Sequence, residues 1–105
     1  MKNSKIVALQ EAIEEEPKNA FAHFALAREY IKINDRVNAR QQYQFLVDHI
    51  PEYGGTYYHF VLLLWEMNDL PAARSIFDQG VHILRRYNET HLLNELKALE
   101  EQWPE

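Results

Sequence analysis

The sequence predicts an all-α protein, a stack of about six helices paired into antiparallel hairpins. Three observations predict it: an internal repeat, apolar residues recurring at helical steps, and few residues that break helices. Pro17 and Pro51 stand 34 residues apart, and the same shift lays Asn34-Asp35 on Asn68-Asp69, Ala39-Arg40 on Ala73-Arg74, Tyr43 on Phe77 and Val47 on Val81. Self-similarity at that period is the mark of stacked supersecondary units. Three glycines and four prolines in 105 residues leave room only for short links between helices.

A first helix over 4–16 offers Ile6, Leu9, Ala12 and Ile13 on one side and Glu11, Glu14, Glu15 and Glu16 on the other, the pattern of a terminal helix with one wet face. The first repeat spans 20–51. In its first helix His23, Leu26, Ala27, Tyr30 and Ile33 recur at three- and four-residue steps. Asn34 takes the left-handed terminal position and Asp35 caps the next helix, which carries Val37, Ala39, Tyr43, Leu46, Val47 and Ile50. So short a link folds the two helices into an antiparallel pair. The second repeat, 54–87, does the same with Tyr57, Phe60, Val61, Leu64 and Met67, then Asn68-Asp69, then Ala73, Ile76, Phe77, Gly80, Val81 and Leu84. Pro71 falls in a first turn, where its missing N–H costs least. Ala27, Ala39, Ala73 and Gly80 are small where helix axes must approach to about 8–10 Å. A last helix over 89–103 turns Leu92, Leu96, Leu99 and Trp103 inward and Glu95, Glu100 and Glu101 outward. The whole reads as a single domain, 1–105, of a length that one core serves.

These residues resemble the tetratricopeptide repeat pattern W-x2-L-G-x2-Y…A-x3-F…P. Leu26, Ala27, Tyr30, Ala39, Tyr43 and Pro51 meet it in the first repeat, with His23 in place of the Trp. The second repeat is looser, and Arg85 stands where its closing proline would be. Leu9, Ala12 and Pro17 match the tail of a repeat whose first helix is missing. The segment Pro51–His59 is similar to that of short stand-alone bacterial proteins of this family. The resemblance implies a right-handed α-α superhelix and a protein-binding scaffold.

In that family a concave groove formed by the first helices of the repeats receives partner segments. Carried over by position, the groove comprises Phe21, Phe24, Arg28, Ile31 and Lys32 in the first repeat. The second repeat supplies Tyr58, His59, Leu62, Trp65 and Glu66. At 100° per residue, Phe21, Phe24 and Ile31 lie roughly 130° around their helix from the Leu26/Tyr30 stripe, so packing within the hairpin leaves them over. An exposed aromatic patch marks a binding surface. Three occupants stay open: an apolar peptide or helix from a partner, a second copy forming a homodimer seam, or the chain's own C-terminal helix. Family members that clamp chaperone carboxylates use Lys, Asn and Arg in the groove; Phe24 beside a lone Arg28 does not rebuild that cage.

Chemistry of other kinds finds little purchase. His23, His49, His59, His82 and His91 show no metal-ligand spacing, there is no cysteine, and Ser4 and Ser75 have no base-and-orienter context. His23 takes the place of a packing aromatic and reads as a hydrogen-bonded interior histidine. Gly54-Gly55 reads as an inter-hairpin turn and not a phosphate loop. The expectation is no enzyme, no cofactor and no metal. The charge of −5 disfavours nucleic acid. No apolar run approaches the roughly 18 residues a membrane span needs. Acidic Glu14-Glu15-Glu16 sits where a secretory leader would be cleaved, so the expected location is cytoplasmic.

Overall fold

The computed structural model describes residues 3–104 and is built of helices, with no strand among the described residues. The elements are α1 (Ser4–Glu15), α2 (Ala20–Lys32), α3 (Arg36–His49), α4 (Gly55–Glu66), α5 (Leu70–Arg86) and α6 (Thr90–Ala98), with a closing 3₁₀ turn at Leu99–Gln102. The all-α expectation and the count of six helices hold.

Four of the six helices, α1, α2, α3 and α5, start where a short polar side chain satisfies orphan amides. Asn3 Oδ1 accepts from the Lys5 and Ile6 amides at 3.0 and 3.2 Å, Asn19 from Ala22 at 3.1 Å, Asp35 from Asn38 at 3.2 Å and Asp69 from Ala72 at 3.2 Å. Three helices stop on an asparagine in the left-handed region, Asn34 at φ 61, Asn68 at φ 59 and Asn88 at φ 56. At each of these turns the next amide reaches back to close the helix: Asp35 to Tyr30 O, Asp69 to Leu64 O and Glu89 to Leu84 O, at 2.8 to 2.9 Å. The third turn, Asn88-Glu89, follows the logic of the two that the repeat predicts.

The chain divides into two compact units between Ile50 and Pro51. In the first, α2 packs antiparallel on α3 and α1 lies against α2. Its core is Ile6, Ala22, Leu26, Ala27, Ala39, Tyr43, Leu46 and Val47. His23, also buried, is the hydrogen-bonded interior histidine that its place in the repeat predicts. Its Nε2–H donates to the Pro17 carbonyl at 2.8 Å, Nδ1 lies 2.7 Å from the Gln42 side-chain amide, and the ring stacks on Phe45. Ile33 and Val37, on the apolar period of α2 and α3, instead face water beside the Asn34-Asp35 turn.

In the second unit α4 packs on α5, and α6 lies against both. Tyr57, Phe60, Val61, Leu63 and Leu64 of α4 are buried, as are Ala73, Ile76, Phe77 and Leu84 of α5 and Leu96 of α6. Close approach sets two glycines. A methyl on Gly80 would lie 2.7 Å from Tyr57 Cβ and 2.7 Å from Leu96 Cδ2, and one on Gly54 2.7 Å from Leu84 Cδ2. The Tyr57 hydroxyl donates to the Pro51 carbonyl at 2.6 Å; burial, helped by the Glu52 charge, pushes its pKa up to about 12. The terminal helix is shorter than the 89–103 its apolar spacing predicts. After Ala98 it tightens into the 3₁₀ turn, and Trp103 is extended at φ −60, ψ 125 because Pro104 follows it.

Candidate functional site

The first-repeat residues expected in a groove all lie on α2, because side chains at three- and four-residue steps share a helix face. Phe21 is 67% exposed, the barest of the large apolar side chains described. Phe24 and Ile31 are half-buried, and Phe24 leans on the Tyr43 ring with centroids 6.0 Å apart. Arg28 and Lys32 are exposed at the rim. Burial raises the Tyr43 phenol above its usual range, and the positive charge of Arg28 works against that rise. Lys32 Nζ donates to Glu29 Oε2 at 2.9 Å.

The second-repeat residues lie along α4. Tyr58, His59 and Leu62 are half-buried, the Tyr58 and His59 rings meet edge to face at 5.4 Å, and Glu66 is exposed. Trp65 differs from its neighbours because the chain's own tail reaches it. The Trp103 ring meets Trp65 edge to face at 5.1 Å and Phe77 at 5.4 Å, while the Arg74 guanidinium sits 4.0 Å above Trp103. The Trp65 indole N–H is buried there and meets no acceptor among the described residues.

Spacing did not single out a further concavity in the first unit, an apolar groove of about 340 Å³ lined by Lys5, Ala8, Leu9, Phe21, Ala25 and Glu29. It runs between α1 and α2 and shares only Phe21 with the expected set. At 100° per residue Ala25 and Glu29 lie roughly 40° and 80° around α2 from Phe21, away from Phe24 and Ile31. The floor is small side chains, the far end an aromatic ring, the near end charge. Glu29 is held below the usual carboxylate range chiefly by the hydrogen bond from Lys32; burial opposes this, and the charges of Lys32 and Lys5 add to it. The signal that would have found this groove is the pair of small residues, Ala8 on α1 and Ala25 on α2, beside the apolar Leu9 and Phe21.

Both sets of residues suit the holding of an apolar segment. Neither assembles a nucleophile with a base. Among the described residues no cluster of three or more His, Cys, Asp or Glu could hold a metal ion, and no helix is long and apolar enough to cross a membrane.

No protein-family model matches the sequence, and no curated protein matches it. Solved structures similar to this fold include the following two. One is the solution structure of a tetratricopeptide repeat domain protein from Salinibacter ruber, at TM-score 0.77 and 29% identity over 83% of this chain and 88% of that one. The other is a crystal structure of a tetratricopeptide repeat domain protein from the same organism, at TM-score 0.75 and 28% identity over 81% of this chain and 94% of that one.

Proposed function

We propose, from the chain's similarity to tetratricopeptide repeat domain proteins, that it is a non-catalytic scaffold holding an apolar peptide or amphipathic helix of a partner protein through the outer faces of α2 and α4. The observation that supports this most is the division of labour within each helix. In α2, Ala22, Leu26 and Ala27 are buried, while Phe21, Phe24 and Ile31 keep surface in water. In α4, Tyr57, Phe60, Val61 and Leu64 are buried, while Tyr58, Leu62 and Trp65 keep theirs. Leaving so much apolar area wet costs solubility and gains nothing for folding, so a partner explains it. Binding of this kind draws its energy from a few aromatic and aliphatic anchors, with charges such as Arg28, Lys32 and Glu66 orienting the segment at the rim.

Phe24→Asp and Leu62→Glu are expected to abolish partner capture in a pull-down while the helical circular dichroism stays that of the parent. Both variants unfolding would make these side chains core, and unchanged capture by both would clear the two faces of a binding role.

A further inference from the structure

Trp65 is a point on α4 where a segment of the chain is already seated, and the way it is held shows what that point selects. The segment is 100–103, the end of the 3₁₀ turn and the extended residue after it. Arg74 of α5 meets two of its side chains at once. The guanidinium lies 4.0 Å above the Trp103 ring and 5.0 Å from the Phe77 ring, while its Nη1 is 3.4 Å from Glu100 Oε2. Trp103 stands edge to face against both Trp65 and Phe77. A 3₁₀ turn brings residues three apart to one side, so the acid and the ring reach the same cation together.

The hold is made by side chains. The Trp103 amide makes a long bond, 3.4 Å, to the Glu100 carbonyl, inside the segment itself. Glu100, Glu101, Gln102 and Pro104 are exposed, and Trp103 is half-buried. Water screens the pairing of Arg74 with Glu100, whose side chains are 42% and 53% exposed. The buried Trp65 N–H meets no acceptor among the described residues, so the seated segment leaves a donor unmet. A contact of this kind opens locally, well below the free energy of unfolding the whole unit.

We infer that segment 100–103 is an internal stand-in for a partner: Trp65, Phe77 and Arg74 form a slot for a protein segment with an Asp or Glu three residues before an aromatic ring, and Trp103 fills it until such a segment displaces it. The inference rests on the reading of α4 as a binding face and narrows it at Trp65. The partner's ring takes the Trp103 place against Trp65 and Phe77, and its carboxylate takes the Glu100 place on Arg74. A segment with the ring and no acid, or the acid and no ring, meets half of the slot.

The probe is the blocked peptide acetyl-Glu-Glu-Gln-Trp-Pro-amide, the sequence of residues 100–104, added to the full isotope-labelled chain. In a chain vacated by Glu100→Ala and Trp103→Ala together, saturable shifts are expected at the Trp65 indole N–H and at the amides around Arg74 and Phe77. The parent should bind the peptide about tenfold more weakly, because only the molecules with Trp103 lifted can accept it. Exchanging the peptide's Trp for Ala should abolish binding, and Arg74→Gln in the vacated chain should weaken it by about threefold or more. Independently of any variant, relaxation dispersion at the two indole N–H signals of the parent should report the lifting of Trp103. The inference is overturned by a vacated chain that takes up no peptide, by equal affinity in parent and vacated chain, or by equal binding of the Ala peptide. It is equally overturned if the vacated chain loses its helical circular dichroism, or if the parent's indole signals exchange only on global unfolding, because the segment would then be core. A parent dimer that Trp103→Ala turns into a monomer would give the slot to a second copy and overturn it too. Failure of this inference and of the α2/α4 reading are told apart by the pull-down. Capture lost in Phe24→Asp and Leu62→Glu, with no peptide bound, removes the slot alone; peptide bound, with capture intact in both, keeps the slot and clears the rest of the two faces.

Discussion

Gly80 carries more of the second unit than any other small residue, because α4 comes down on it through Tyr57. A methyl added there would meet Tyr57 Cβ and Cγ at 2.7 and 2.8 Å, backed by a packed helix and not by a free side-chain end. Gly80→Ala should therefore lower stability by about 1–3 kcal/mol, the range for overpacking. The gain in helix propensity, about 1 kcal/mol, works against that loss. Denaturant midpoints measure it, and an unchanged or raised midpoint would remove the close approach. At this scale the sequence is legible where a residue type has one mechanical use. Ala27, Ala39, Ala73 and Gly80 read as contact points between helices, and all four are buried. Ile33 and Val37 sit on the same apolar period yet are 53% and 63% exposed. Periodicity assigns a side of a helix; it does not say whether another element reaches that far along it.

At the level of elements, boundaries were legible because asparagine and aspartate can do things few other residues can. Asn34-Asp35 and Asn68-Asp69 end one helix in the left-handed region and begin the next with a carboxylate cap. The C-terminal segment was half legible. Leu96 and Leu99 are buried as their spacing predicts, but Trp103 leaves the helix and packs from an extended backbone. Pro104, which forces that conformation, was visible in the sequence and outweighs the apolar period. Trp103 fastens this segment through Trp65, Phe77 and Arg74, so Trp103→Ala should cost about 1–2 kcal/mol, less than a fully buried aromatic because the ring is half in water. Limited trypsin digestion should cut faster after Lys97 in the variant. Equal cleavage rates would mean that the contact contributes little to holding the tail.

For the molecule as a whole, the repeat told more than any single residue, since period and pattern together imply hairpins that pile on their neighbours. The apolar faces of α2 and α4 are expected from it, because apolar residues recur there beyond those that the hairpins bury. The groove on α1 and α2 could not be read from it, because it depends on how two helices lie against each other, which the periodicity of either one does not record. Net charge acts at this scale too. With 16 acids against 11 bases the chain should not retard an oligonucleotide in a gel even at low salt, and a salt-sensitive shift would reverse that expectation. The contact between Trp65 and Trp103 has an optical consequence. The chain has two tryptophans, and both lie beyond Ile50. Their fluorescence therefore reads local packing in the second unit, and α1, α2 and α3, which hold no tryptophan, need tyrosine absorbance or circular dichroism to be read directly.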